Sequence, residues 1–326
     1  MRAGIIGIGS YLPDNVVTNT ELEKIVDTSN EWIVERTGIL SRRTAEKHIG
    51  SSDLGAEAAK LAIKNANLKP EDIDMIISAS STPDHTFPAT ACIIQDKIKA
   101  TNAAAFDIQA ACTGFVYGLI TAAQYIMTGL YKNILVVGSE VLSKMVDWQD
   151  RNTCVLFGDG AGAVVVSQVE TGGVLSSVLG ADGSGASLLE LPAGGTREPA
   201  SFETVENRRH YIKMSGNEVF KFAVKVFEDC TRQVVEKANL TLDEIDYIIP
   251  HQANVRIIDA ALKRLSFPRN RVMINLDKYG NMSSASIPVA LHEAFRTGRI
   301  KKGHKVILVG FGAGLTLGAT LIDWNL

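Results

Sequence analysis

Short aliphatic runs alternate with longer amphipathic stretches along most of the chain. Apolar residues and a Phe lead into Ile108, which predicts a short buried strand. From Phe115 the residues Val116, Leu119, Ile120, Ala123, Ile126 and Met127 recur at helical spacing and cover much of the circumference. That pattern predicts a helix buried on most sides. Residues 52–66 start with Ser52 and Asp53 and place Leu54, Ala58, Leu61 and Ala62 on one face, a second helix. Residues 218–238 and 287–296 read as helices too, and residues 75–78, 134–138, 247–249 and 306–310 as strands. Residues 157–166 read as a Gly/Asp turn feeding a strand. Short strands between helices imply crossover connections, an α/β class and mainly parallel buried sheets.

The pattern repeats. Asn67-Leu68 through Ile73-Asp74 precedes one strand, and Asn239-Leu240 through Ile245-Asp246 precedes another, a shift of 172 positions from 74 to 246. The same shift carries Ile134-Leu135-Val136-Val137-Gly138 onto Val306-Ile307-Leu308-Val309-Gly310, from 138 to 310. Two matches at one shift predict two copies of one αβ topology, residues 1–172 and 173–326. Residues 181–215, rich in Gly, Ser, Pro and charge, are the least regular stretch and are expected to lie over the functional site.

With 326 residues, 46% apolar content and only 9 Pro, the chain has material for a large core. A net charge of −3 argues against a nucleic-acid binder. Four cysteines, at 92, 112, 154 and 230, form no CxxC pair and no metal spacing with the six histidines, so no metal is expected. Cys92, Cys154 and Cys230 lie in apolar stretches and read as packing residues. The N-terminal run reads as an opening strand and turn, and no stretch reaches the roughly 20 apolar residues of a membrane span. A cytoplasmic location is expected. Gly7-Ile8-Gly9 lacks the third glycine of a dinucleotide motif, and residues 157–166 lack the Lys-Ser/Thr of a phosphate loop.

Ala110-Ala111-Cys112-Thr113-Gly114 joins the first-half strand to its central helix. A turn of that kind presents its residue where helix N–H groups lack partners, and those groups with the helix dipole favour a thiolate nucleophile. A small residue packed at a tight junction is the competing reading. His251 follows the strand at 247–249, and Asn281 follows Gly280 just before the second central helix. Singly, His251 reads as a strand-end residue and Asn281 as a turn or N-cap residue. The shift maps position 112 onto 284; if a pseudo-twofold axis relates the halves, Cys112, His251 and Asn281 are expected to share one cavity.

These residues carry a resemblance along essentially the full length. Gly9-Ser10-Tyr11-Leu12-Pro13, Asp27 through Ile33, Arg36-Thr37-Gly38-Ile39, the Cys112 elbow, Phe157 through Ala163, His251-Gln252-Ala253-Asn254, Tyr279-Gly280-Asn281 and Gly310 through Gly314 together resemble the β-ketoacyl-acyl carrier protein synthases III of the thiolase-like superfamily. The resemblance implies a thiolase-like fold with a central pair of helices. It implies an initiating, decarboxylative Claisen condensation of an acyl-CoA with malonyl-acyl carrier protein, giving a 3-oxoacyl product and using no metal or redox cofactor. Cys112 takes the acyl group, and His251 with Asn281 stabilises the enolate. The resemblance further implies an oxyanion hole formed by the backbone N–H groups of Cys112 and Ala313, with Ala313 standing where the family often has glycine.

The resemblance also assigns CoA to Thr28, Trp32, Arg36, Arg151, Asn217 and Asn254, with Trp32 stacking on the adenine. It places Phe87, Leu142, Phe157 and Leu189 around the acyl group, Phe87 reaching in from the partner of a homodimer. Arg256, Lys263 and Arg264, with Lys221, are candidates for a basic patch that docks the acidic carrier protein. Three other readings stand beside this one. They are a condensing enzyme of quinolone or polyketide starter chemistry, a Cys-His-Asn acyl-CoA thioesterase or amide hydrolase, and a non-catalytic pairing subunit.

Overall fold

A computed structural model describes residues 2–326. The first half contains β1 (Arg2–Tyr11), α1 (Asn30–Thr37), α2 (Ser51–Asn65), β2 (Met75–Ala79), α3 (Thr90–Ile98), β3 (Ala104–Ile108), α4 (Gly114–Met127), β4 (Asn133–Val141) and β5 (Asp159–Val169). The second contains β6 (Gly173–Ala181), α5 (Gly216–Lys237), β7 (Tyr247–Pro250), α6 (Val255–Leu265), α7 (Ser286–Arg296), β8 (Lys305–Gly312) and β9 (Thr316–Asp323). One sheet runs β1-β5-β4-β2-β3 and the other β7-β8-β9-β6.

Strand alternation sorts side chains between layers. Ile134 and Val136 of β4 and Val306 and Leu308 of β8 face one shared core, packed on Phe115 and Leu119 of α4 and Ile287 and Leu291 of α7. Their neighbours Leu135 and Val137 face α2 and α3, while Ile307 and Val309 face α5 and α6. The result is helices, sheet, central helix pair, sheet, helices. No helix among the described residues is long and apolar enough to cross a membrane.

The 172-position shift is present in the backbone itself. Single helical turns at Pro70–Asp72 and Leu242–Glu244 correspond, as do Ala111–Thr113 and Ser283–Ala285. Asn67 and Asn239 share φ 56°, and Ala111 and Ser283 have φ 46° and 43°.

Four expectations change. Only β2–β3, β2–β4 and β7–β8 are parallel; β1–β5, β4–β5, β8–β9 and β6–β9 are antiparallel. The loop from β8 to β9 is too short for a crossover, so β9 must return antiparallel. β3 is not buried: it lies on the open edge of its sheet, half-buried or exposed throughout. Asp159-Gly160-Ala161-Gly162 belongs to β5 rather than to a turn, because α7 crosses there and a Cβ on Gly162 would lie 2.7 Å from Pro288. Cys92 is exposed, since Ala91, Ile94 and Ile98 define the inner face of α3 and position 92 falls outside it.

Candidate active site

Cys112 sits on a strained elbow between β3 and α4. Ala111 before it has φ +46°, a left-handed conformation that costs a non-glycine residue about 1–2 kcal/mol. The β8–β9 loop presses against the elbow from the other half. A Cβ on Gly312 would lie 2.7 Å from Cys112 N, so this close approach admits only glycine. Thr316 Oγ1 donates to Ala110 O at 2.9 Å and ties the loop to the elbow.

Cys112, His251 and Asn281 line one cavity of about 150 Å³, with Phe157, Phe311 and Gly312 among its walls. His251 is buried at the end of β7, its ring 5.3 Å from Phe311 and its Nδ1 without a hydrogen-bond partner. Asn281 lies two residues before the Ser283–Ala285 turn. Its backbone is pinned by Asn281 N–H to Leu156 O at 2.8 Å and Gly158 N–H to Asn281 O at 2.9 Å. Asn281 Oδ1 accepts from Ser283 N–H at 2.8 Å. That bond fixes the carboxamide, so its NH₂ end is the one left to donate.

Burial pushes the Cys112 thiol up to about 12. The expected helix-end thiolate is therefore corrected: loss of water outweighs the elbow N–H groups, and the resting sulfur is a thiol. Burial also pushes His251 down to about 3, which keeps its imidazole neutral.

Both shifts make stability depend on pH. Unfolded histidine takes up a proton below its ordinary 6.5, whereas His251 does so only near 3. Unfolding therefore binds a proton in that interval, and stability falls as pH drops through it. Unfolded cysteine releases its proton above 9.0, whereas Cys112 keeps it to about 12, so stability falls as pH rises across that window. The stabilising contribution of these two groups is expected to be fully present between about pH 6.5 and 9. His251→Gln does not titrate and is expected to flatten the acid limb; an unchanged acid limb would refute this origin.

A second cavity, about 350 Å³, opens from Cys112 past Leu142, Phe157, Leu189 and Ala313. Ser81, Gln109, Met145, Leu191, Ile212 and Ser283 complete much of its wall, and none of these was singled out from sequence. Leu191 and Ile212 come from the irregular stretch, which does cover the site, as expected. Phe87 does not line this cavity; it is 84% exposed.

A third pocket, about 240 Å³, gathers Trp32, Arg36, Asn217, Asn254 and Arg256 at the surface. It shares Leu156, Phe220 and Asn254 with the inner cavity, so the two mark one route to Cys112. Ser29 caps α1 by accepting from Trp32 N–H at 3.1 Å, which sets the Trp32 backbone. Guanidinium groups of Arg36 and Arg151 lie 5.5 and 4.8 Å from the Trp32 ring centre. Both ends of Asn254 are occupied: Oδ1 caps α6 by accepting from Arg256 N–H at 2.8 Å, and Nδ2 donates to Arg36 O at 3.0 Å. Thr28 is outside this wall, and its Oγ1 is buried without a partner. Lys221, Arg256, Lys263 and Arg264 are exposed, and Arg264 pairs with Glu228 at 3.6 Å. Larger grooves of about 570 and 660 Å³ lie elsewhere and do not include Cys112. No group of three or more His, Cys, Asp or Glu among the described residues is placed to hold a metal ion.

Two family models match: 3-oxoacyl-(acyl-carrier-protein) synthase III over residues 106–183 and its C-terminal part over residues 235–324. A beta-ketoacyl-(acyl-carrier-protein) synthase III from Caldanaerobacter subterraneus subsp. tengcongensis is 59% identical over 326 residues, which is 100% of this chain and 98% of that one. The chain belongs to the synthase III family. A synthase III from Clostridioides difficile is 56% identical, covering 100% of this chain and 99% of its own. The crystal structure of the Aquifex aeolicus synthase III matches with a TM-score of 0.92 and 48% identity, over 99% of this chain and 100% of that one. The priming β-ketosynthase of the R1128 polyketide pathway matches at 34% identity and a TM-score of 0.91, over 99% and 97%. As a synthase III, the chain is an acyltransferase of the condensing type with a thiolase-like fold, and its reaction initiates fatty acid synthesis.

Proposed function

We propose that Cys112, His251 and Asn281 carry out the condensation in two stages within their shared cavity, with an acyl-CoA as primer and malonyl-acyl carrier protein as extender. The observation that carries this reading is the single cavity walled by all three residues.

In the first stage the Cys112 sulfur attacks the acyl carbonyl. A C–S bond forms, the bond to CoA breaks, and the thiol proton leaves with the CoA sulfur. The developing oxyanion takes hydrogen bonds from Cys112 and Ala313 N–H at the elbow and the β8–β9 loop. In the second stage the malonyl group loses CO₂, and its electron pair moves onto the thioester oxygen as an enolate. The neutral His251 N–H and the Asn281 NH₂ donate to that oxygen. A neutral imidazole suits this role, because it stabilises the charge without giving up its proton. The enolate carbon then attacks the acyl thioester, a C–C bond forms as the C–S bond breaks, and the departing Cys112 sulfur takes a proton from solvent water. Incubation with a panel of acyl-CoAs, followed by mass spectrometry of the Cys112 peptide, tests this. An acyl adduct that disappears when malonyl-carrier protein is added is expected; free acid released without an extender would instead mark a hydrolase.

The CoA adenine stacks on Trp32, displacing Arg151 from the ring face to its edge. Arg36 and Thr28 meet the phosphates, where a guanidinium offers paired donors. Asn217 and Asn254 line the pantetheine route, Asn254 chiefly by holding α6 to α1.

Arg256, Lys263 and Arg264, with Lys221, steer the carrier protein toward the same mouth. Arg256 walls the entry pocket, whereas Arg264 is partly neutralised by Glu228. Lys263→Glu, outside that pocket, is expected to lower kcat/KM for malonyl-carrier protein by about tenfold and that for acyl-CoA by less than about twofold. Equal losses would count against docking.

The chain acts as a homodimer, with the partner subunit's Phe87 closing the acyl cavity. The exposure of Phe87 and the open edge at β3 support this. Sedimentation showing a fully active monomer would remove it.

A further inference from the structure

One buried carboxyl near Cys112 has no part in the two stages above. Glu140, in β4, has no exposed surface. Its Oε2 accepts from Thr82 Oγ1 at 2.8 Å, and Ser81 N–H reaches both oxygens at 3.0 Å. Ser80 Oγ is a more distant neighbour at 3.4 Å. On the other side Ser284 presents its N–H at 3.3 Å and its Oγ at 2.7 Å from Oε1. Among the described residues no Lys, Arg or His pairs with this carboxyl.

Counting hydrogens shows what this arrangement requires. Ser284 Oγ lies 2.8 Å from Ala79 O as well as 2.7 Å from Glu140 Oε1. A carbonyl only accepts, and the hydroxyl has one hydrogen to give. If that hydrogen goes to an ionised Glu140, the contact to Ala79 O holds no hydrogen; if it goes to Ala79, two bare oxygens face each other at Glu140. A protonated carboxyl satisfies both contacts: Glu140 donates to Ser284 Oγ, and Ser284 donates to Ala79 O. Burial raises the Glu140 carboxyl in the same direction.

The duplication gives this cluster a meaning. The shift of 172 maps Cys112 onto Ser284, His251 onto Ala79 and Gly312 onto Glu140. One half keeps a glycine where the loop must lie against the nucleophile. The other half places a carboxylic acid at the matching point, and it fills the counterpart of the catalytic space.

We propose that Glu140 is a positioning residue, held as the neutral acid, which braces the Ser283–Ala285 turn against the Ser81–Thr82 loop and so keeps Ser283 and Asn281 trained on Cys112. The inference rests on the roles given above to Cys112 and Asn281. The links are direct. Ser284 is bonded to Glu140, and its neighbour Ser283 holds Asn281 Oδ1 through its N–H and lines the same cavity wall as Cys112. Ser81 and Ser283, on the two sides of the brace, both line the acyl cavity.

Glutamine keeps the main contacts of the neutral acid: its oxygen faces Ser81 and Thr82 and its NH₂ donates to Ser284 Oγ, with the longer contact from Ser284 N–H at 3.3 Å given up. Glu140→Gln is therefore expected to keep condensation within about threefold of the parent enzyme. It is also expected to leave the pH profile of Cys112 alkylation by iodoacetamide unchanged. Glu140→Ala, assayed well below its unfolding temperature, is expected to lose about tenfold or more in kcat with KM for acyl-CoA within about twofold, because the elbow loosens after CoA binding is secured. Infrared spectra of the parent enzyme are expected to show a protonated carboxyl band that shifts in D₂O and is missing from Glu140→Gln. Absence of that band overturns the proposal. So does an alkylation profile that moves to lower pH in Glu140→Gln, which would mean that a negative charge had been removed. So does a Gln variant as impaired as the Ala variant, or an Ala loss matched by its unfolded fraction. Parent enzyme that never acylates at Cys112 would instead refute the catalytic reading, while the infrared band would still report the charge of Glu140.

Discussion

Cys112→Ser is expected to reduce condensation by about 10³-fold or more and to abolish the acyl adduct at position 112. A hydroxyl is far less acidic than a thiol and needs a strong adjacent base to attack a thioester. The neighbouring imidazole is a poor base, because burial pushes His251 down to about 3. Serine therefore keeps the shape of the elbow without its nucleophile. The substitution also buries a hydroxyl in a nearly enclosed position, which costs about 1–3 kcal/mol if no acceptor meets it. Circular dichroism and the denaturant midpoint separate that cost from the chemical loss. Acyl transfer at near-parent rate by folded Cys112→Ser would end the assignment of Cys112 as nucleophile.

His251→Ala and Asn281→Ala are expected to split the two stages. Removing one preorganised donor to a developing oxyanion costs about 10²- to 10³-fold, roughly 2.7–4 kcal/mol. That loss falls on CO₂ release from malonyl-carrier protein, where the enolate forms. Acylation of Cys112, proposed to rely on backbone N–H groups, is expected to stay within about tenfold of the parent. Asn281→Ala carries an added stability cost of about 1–3 kcal/mol, since Ser283 N–H loses its acceptor at 2.8 Å. Parallel rapid-quench measurements of Cys112 acylation and of CO₂ release check the split. Equal losses in both stages would place His251 and Asn281 on the acyl oxyanion instead.

Much of this site was legible from local patterns, each for a physical reason. The phrase from Asn67 to Asp74 and its copy from Asn239 to Asp246 encode the same turn, and both asparagines adopt φ 56°. The elbow could be located because a strand pattern stops and a helical pattern starts within five residues around Cys112. The places where local reading failed are equally specific. Asn254 looked available for a ligand, yet its carboxamide caps α6 and binds the backbone of α1, two segments far apart in sequence. Cys92 sits in an apolar run, but α3 turns it outward. The alternation at β3 gave no sign that the strand ends the sheet. Glu140 and Ser284 carried a signal in the 172-position shift, but only their contact gave it a use.

The sequence by itself determined the two-copy αβ plan and the strand-to-helix elbow at Cys112, because strand period, helix period and turn chemistry act over a few neighbouring residues. The tertiary structure alone decided that Cys112 rests as a thiol, that His251 rests as a neutral imidazole and that Glu140 is sealed from solvent. Those properties depend on how completely distant layers exclude water from one point, and exclusion of water exists only once the layers have closed on each other.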